Sequence, residues 1–412
     1  TAVTRYLGFG SFGSEYKVMG LAPYGRPRYV EQLSRLFTTD GDGGFRLLAP
    51  VQFQWTSLIA ALRAIAAATG VPVRDPRTPL EPAHVDIAAS LQAIFETEVL
   101  KMARYVHRET GEENLLFCGG CAQNCVTAGQ LRRARIFSSV FNSPVGGDMG
   151  SGLGAALLLA RRQLGGERLA IDARGFYLGS EPGVVPAEAR PWQVSHADDL
   201  FTFIAGELAA GKIVAWVRDR MELGARALGA RSIIADPRQP GMQSRLNLAV
   251  KFRESFRPFA PLVLAEDCPD WFDTAEPSDF MQYTAHLVES RRRPQPQRFT
   301  SLREQLDFPR CDIPSVIHVD YSARLQTIRR ETHADMHRLL SAFKQLTGVP
   351  ILINTSFNVS GQPIVRTAAE GWECFVNTDI DLLVLGDEVF RNPQQKTREE
   401  KLAWLKQFAK SA

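Results

Sequence analysis

The chain has 412 residues, 48 basic and 45 acidic, for a formal charge of +3 at neutral pH, and 45% of it is hydrophobic. This describes an ordinary soluble globular protein of two or three domains and excludes a disordered or fibrous chain. So small a net charge gives no argument for a nucleic-acid or membrane partner, and no run reaches the roughly 18 apolar residues of a membrane span. Six cysteines, at 118, 121, 125, 268, 311 and 374, are sparse and irregular, which fits a reducing cytoplasm better than a disulfide scaffold.

In chain order, residues 1–26 are rich in glycine and aromatics and read as a loop-rich segment. The spacing of Ile59, Leu62 and Ile65, and of Ile87, Leu91, Ile94, Phe95 and Val99, predicts amphipathic helices near 57–69 and 85–109. A buried strand at 114–118 runs into Gly119-Gly120, and a second at 139–142 ends at SPVGGD. A helix then starts near Ser151 and stops at Gly165-Gly166. Gly179, Pro182, Gly183, Pro186 and Pro191 mark a boundary that divides a domain 1–185 from a domain 186–412. Beyond it, 212–217, 232–235, 349–354 and Leu382–Leu385 read as buried strands and 336–346 as a helix. Residues 290–310 read as a polar loop. A charged helix at 396–410 would dock through Leu402, Trp404, Leu405 and Phe408. Strand, glycine turn and helix in repetition define an α/β protein.

Several constellations could carry chemistry. In FCGGCAQNC, glycines directly after a strand would let a phosphate or ribose approach the backbone, and the next helix would offer free N–H groups to an anion. A tight strand-to-helix turn is the plainer alternative. The cysteines there lack a partner motif at metal spacing and read as buried thiols. Asp148, in GDMGSG, could hold a metal that bridges nucleotide phosphates or could cap a helix, and spacing alone favours the cap. His333 and His337 stand at i,i+4, but Ala334 follows where an H-E-x-x-H motif needs glutamate, which argues against ligation.

The densest signal lies in 218–257. Nine cations (Arg218, Arg220, Arg226, Arg231, Arg238, Arg245, Lys251, Arg253, Arg257) stand there among only four acids, interleaved with glycine and apolar residues. Such cations suit a concave anion pocket better than a solvated face or a nucleic-acid surface, because arginine supplies fixed forks of donors to phosphate or carboxylate. Arg226, Lys251 and Arg257 have the most apolar or glycine-rich surroundings. Further on, NTSFN (Asn354 to Asn358) follows a strand and could recognise an amide-like group through paired hydrogen bonds.

The order of these motifs is more specific than any one of them. EYKVMGLAPYG, GGCAQNC, NSPVGGDMGSGLGAAL, DRMELGARALGARSIIADPR, VKFRESFRPFAP and NTSFNVSGQPIV together resemble the nodulation/cephamycin family of ATP-dependent O-carbamoyltransferases. The resemblance implies an α/β lobe of the actin, sugar-kinase and heat-shock-chaperone superfamily followed by a YrdC-like α/β domain. It implies that carbamoyl phosphate and ATP form a carbamoyl-adenylate, whose carbamoyl group passes to a hydroxyl of a natural product. Carried over by position, Glu15, Lys17, Gly119, Gly120 and Asn124 would lie at the nucleotide and Asp148 at a divalent metal, whether iron, manganese or magnesium. Arg220, Arg226, Arg231, Lys251, Arg253, Arg257, Arg324, Asn354 and Asn358 would surround carbamoyl phosphate.

Three departures stand out. A strand-rich segment and an H-x3-H metal motif, which the family carries ahead of the region matching Thr1, are absent, so the chain reads as N-terminally truncated. Ser360 replaces a frequent basic residue, and Gln362 a usual glutamate. The expectation is a cytoplasmic enzyme of secondary metabolism acting on a hydroxylated small molecule, with no nucleic acid or membrane partner and a homodimer as one oligomeric option. A tRNA threonylcarbamoylation enzyme and, last, a nucleic-acid-binding module are the alternatives.

Overall fold

The structure is a computed structural model, and it describes residues 1–10, 13–48, 58–163, 176–196, 199–274, 276–296 and 299–408. In the N-terminal half, strands β1 (Phe37–Thr39) and β2 (Phe45–Leu47) pair antiparallel, and β3 (Asn114–Leu116) and β4 (Ser139–Phe141) pair parallel. The remaining strands are β5 (Val214–Val217), β6 (Arg231–Ala235), β7 (Ala260–Leu264), β8 (Thr284–His286), β9 (Ser322–Arg324), β10 (Gln326–Ile328), β11 (Ile351–Ser356), β12 (Leu382–Leu385) and β13 (Glu388–Arg391). Seven of them form one mixed sheet in the order β10-β7-β11-β6-β5-β12-β13, while β8 and β9 form an antiparallel pair.

The centre of the large sheet is built on short apolar runs, which are uninterrupted in β5, β7 and β12. β5, β6, β7 and β12 are buried at every position, as expected of strands covered on both faces. Alternation divides their side chains. Val214 and Trp216 pack with helices Leu200–Ala209 and Ala334–Thr347, whereas Ala215 and Val217 join the core on the opposite face. Asp199 caps the first helix through the amide of Phe201, and Gly348, at φ 73°, ends the second. Truncating the fully buried Phe343 to alanine would cost about 3–5 kcal/mol.

The N-terminal half is organised by the 29-residue helix Pro82–Thr110. With Ala2–Tyr6, Glu15–Leu21 and Leu58–Thr69 it encloses Tyr6, Leu7, Leu21, Ile65 and Ile87. Gly25 lies against this helix so closely that any Cβ would strike the Val85 carbonyl. A largely apolar cavity of about 750 Å³ opens between helix Pro82–Thr110 and β2.

Both long amphipathic helices appear where the spacing predicts them, and β12 coincides with 382–385. Other expectations need correction. Residues 1–26 are mainly helical rather than loop, because Val18 and Leu21 bury one face of a short helix. The strands at 114–118 and 139–142 are shorter than expected, and Val140 is their one buried position. Leu116 and Phe141 face solvent, and helix Ser151–Gln163 buries none of its residues despite its run of leucines. Its expected stop at 165–166 lies outside the described residues. The loop at 290–310 contains helix Leu302–Asp307. Cys118 and Cys121 are exposed thiols, since the turn after β3 is open; Cys125 is buried. Among the described residues no helix is long and apolar enough to cross a membrane.

Candidate active site

Arg226 lies in the loop between β5 and β6. Arg253 and Arg257 lie in the segment entering β7, Arg324 ends β9, and Asn354 sits on β11. The fold gathers all five around one cavity of about 210 Å³, to which the N-terminal half contributes Tyr16, Gly20 and Cys125. Among the described residues no Asp or Glu lines it.

The electrostatics follow from this imbalance. Arg226 has its guanidinium pushed down to about 9, first by the neighbouring Arg324 and then by burial, and its Nε is buried without a partner. Arg253 is pushed well below the usual arginine range by burial, then by Arg257 and Arg324. It donates to Asn247 Oδ1 at 2.7 Å and stacks over Phe259 at 4.9 Å. Arg257 is also lowered, chiefly by burial, although Tyr16 and Glu254 oppose the shift. Its guanidinium is 4.6 Å from the Tyr16 ring centre and 3.8 Å from Glu254. Two like charges about 6 Å apart repel by roughly 3 kcal/mol at an effective dielectric of about 20. Four of them with one peripheral carboxylate form a site that an anion relieves.

The other cations expected here are committed elsewhere. Lys251 is buried and donates to Asn358 Oδ1 at 2.8 Å, Asn358 O at 3.0 Å, Ser356 Oγ at 3.3 Å and also Ser356 O. It fixes the turn after β11 from behind the cavity. Asn358 completes that turn by donating to Gln362 O at 2.7 Å. Arg231 is fully buried and spends its donors on the carbonyls of Ser180, Arg218, Asp219, Ala230 and Arg366. Arg220, exposed, donates to Leu178 O and Gly179 O at 2.7 and 3.0 Å. Neither lines the cavity.

The residues expected at the nucleotide have separate partners. Gly119, at φ 101°, donates to Gly146 O at 2.6 Å, so the turns after β3 and β4 lie side by side at the carboxyl ends of two parallel strands. Crevices of this kind take ligands in open α/β sheets. A Cβ at Gly119 or Gly120 would point into open space. Asn124 caps helix Cys125–Arg133 through Thr127 N–H at 3.1 Å and is held by Gln92. Glu15 accepts from the Thr1 hydroxyl, and Lys17 pairs with Glu254 at 3.2 Å. Asp148 is exposed, and no group of three His, Cys, Asp or Glu side chains able to hold a metal occurs among the described residues. The residues present do not by themselves fit a divalent ion. His333 packs against Gly229 and Tyr177, and His337 bonds Glu266 at 2.9 Å, so the two histidines do not act as a pair.

Sequence reasoning missed Tyr16, Glu222, Gln326 and His318. His318 lines the cavity, accepts from Val319 N–H at 2.9 Å through Nδ1, and reaches Gly20 O at 3.1 Å through Nε2. With one nitrogen accepting, the other must donate to the carbonyl, so the ring is neutral; burial lowers its pKa accordingly. Nothing in its local sequence signals that role.

Residues 1–157 match the carbamoyltransferase N-terminus family and residues 205–392 the carbamoyltransferase C-terminus family. The chain therefore belongs to the carbamoyltransferases, a family of enzymes. It is 42% identical to an uncharacterized protein of Synechocystis sp., over 99% of this chain and 69% of that protein. It is 36% identical to nodulation protein NolO of Bradyrhizobium diazoefficiens, over 94% of this chain and 67% of that one. With the 3'-hydroxymethylcephem-O-carbamoyltransferase of Streptomyces clavuligerus it shares 33% identity over 76% of this chain and 55% of that enzyme. The chain thus spans between about half and two thirds of the length of these relatives.

Proposed function

We propose that the protein is an ATP-dependent O-carbamoyltransferase that takes carbamoyl phosphate into the arginine cavity and passes its carbamoyl group to a hydroxyl of a small natural product. One observation carries the reading: Arg226, Arg253, Arg257 and Arg324 line a single cavity of about 210 Å³ whose wall, among the described residues, has no acid. Carbamoyl phosphate is a small dianion near neutral pH, joined to an amide-like carbonyl. Cations with an asparagine beside them suit both of its ends. A cavity of this size favours such an anion over a nucleic-acid strand.

In this reading water cleaves carbamoyl phosphate to phosphate and carbamate, the carbamate oxygen attacks the α-phosphorus of ATP and displaces pyrophosphate to give a carbamoyl-adenylate, and attack by the acceptor hydroxyl on its carbonyl then releases AMP. ATP would lie against the glycine turns after β3 and β4. The division into a lobe 1–185 of the sugar-kinase type and a YrdC-like domain 186–412 belongs to the same proposal. Asp148 would serve a divalent metal only together with ligands from beyond the described residues, so no step is assigned to one.

The test is ATP-dependent turnover of carbamoyl phosphate with a panel of hydroxylated metabolites, with product mass read by mass spectrometry. Arg226→Ala and Arg324→Ala are expected to lose turnover. If both retain it, the cavity is not the donor site.

A further inference from the structure

Arg226 has a positioning problem. Its guanidinium lies among like charges, and among the described residues it has no hydrogen bond or ion pair to hold it. Its direction must therefore be set by its backbone.

That backbone is gripped from both sides. Asn354 Nδ2 donates to Ala227 O at 3.0 Å, and Gln326 Nε2 donates to Leu228 O at 2.7 Å. Asn354 stands beside Ala260 on β7 and Gln326 beside Leu262 on the same strand, and their amides meet across it at 2.8 Å. From the other side Glu222 Oε1 accepts the N–H of Leu228, and those of Ala230 and Arg231 at 3.3 Å each. Glu222 and Gln326 are 2% and 1% exposed. Each is buried, and each bonds peptides that follow Arg226.

We propose that Glu222 and Gln326 are positioning residues for anion recognition, and that they act through Arg226 by clamping the two peptides on either side of Leu228, Glu222 at its N–H and Gln326 at its carbonyl. This rests on the reading of the cavity as the carbamoyl-phosphate site. Pre-organisation matters here because an unpartnered cation would otherwise turn toward water and have to be ordered again when the anion arrives.

The test is a double-mutant cycle on the whole chain, with calorimetric affinities for inorganic phosphate and for carbamoyl phosphate. Arg226→Ala should weaken both by about tenfold to a hundredfold, as for loss of a charged hydrogen bond. Gln326→Met should weaken both by roughly fivefold in the native background and by less than about twofold in Arg226→Ala, because coupled residues are non-additive. A merely structural role would lower the melting temperature without such coupling. Additive effects, or a Gln326→Met protein that binds both anions as the native one does, would overturn the inference alone. Native affinity in Arg226→Ala would remove the cavity reading and the inference with it. Should Gln326→Met fail to fold, Glu222→Asp, which draws the carboxylate back by one methylene, goes through the same cycle with the same expectation.

Discussion

Lys17, on helix Glu15–Leu21, lies 3.2 Å from Glu254, and the pair joins the N-terminal half to the segment that carries Arg253 and Arg257. Burial pushes the Glu254 carboxyl up, but a backbone N–H bond, Lys17 and Arg257 outweigh it and leave the group below the usual carboxylate range. Its folded pKa is thus lower than its unfolded one near 4.3. The stability it contributes is present above the unfolded value and is lost as pH falls through the folded one. Glu254→Gln is expected to flatten the acid limb of the stability curve below about pH 4.3, read by urea melts from pH 3 to 7. An unchanged limb would show that the ion pair contributes nothing.

Arg226 is lowered too, but in its case the charged form is the one that the fold disfavours. Its pKa falls to about 9 in the fold, so the folded state is penalised for keeping it charged. That penalty is full below pH 9 and fades above it, as the folded chain releases a proton that the unfolded chain retains. Arg226→Met should therefore be more stable than the native chain at pH 7 without added anion, by about 1–3 kcal/mol, the order of one unpaired buried polar group. The gap should narrow between pH 9 and 10.5. Phosphate should raise the melting temperature of the native chain and leave that of the variant alone. A variant that melts earlier at pH 7 contradicts the picture of a strained, waiting cation.

Lys251 and Arg324 separate holding the site from serving it. Burial lowers the Lys251 ammonium well below its ordinary range, yet its oxygen partners around Ser356 and Asn358 keep it in place. Lys251→Met would strand those buried acceptors at about 1–3 kcal/mol each, a total of roughly 2–5 kcal/mol in stability. Arg324→Ala should cost less than about 1 kcal/mol in stability, as for a side chain without fixed partners, while greatly weakening phosphate binding. Equal destabilisation by the two would remove the distinction.

The glycine turn offers a comparable contrast. Gly119, at φ 101°, occupies backbone space that side chains rarely tolerate, so Gly119→Ala should cost about 1–2 kcal/mol. Gly120 carries no such constraint and has open space around it. Gly120→Val should leave the melting temperature within a degree or two while abolishing ATP binding in calorimetry. Native ATP affinity in that variant would place the nucleotide elsewhere.

Much of the large sheet was legible because β5 and β12 are unbroken apolar runs and β6 and β11 each hold a run of three apolar residues, a signal that survives whatever the tertiary context. β7, with Pro261 inside it, was missed, as were β10 and β13. Gln326–Ile328 is three residues long and begins with a glutamine, so its burial comes from β7 beside it and not from its own pattern. The density of arginines in 218–257 was equally plain, but position in sequence could not say which would meet. Arg231 begins a buried strand and had to satisfy carbonyls, whereas Arg226 sits in a loop free to point inward. His318 meets Gly20, 298 residues away, and Gln326 meets Asn354 and Leu228, 28 and 98 residues away. Local pattern carries no information about such pairings.

Leu116, Phe141, Leu158 and Leu159 are each about half exposed or more, on β3, β4 and the helix Ser151–Gln163. Several large apolar side chains left against water in one half of a chain make a surface that takes up hydrophobic dyes and other apolar company. A solution of these 412 residues should brighten a naphthalene-sulfonate probe while still cooperatively folded, and its light scattering should rise with concentration and with added sulfate. Charged replacements at Leu158 and Leu159 should quieten both responses without touching the arginine cavity. For anyone preparing the protein, colloidal behaviour would follow these exposed side chains, and affinity for the carbamoyl donor the arginines.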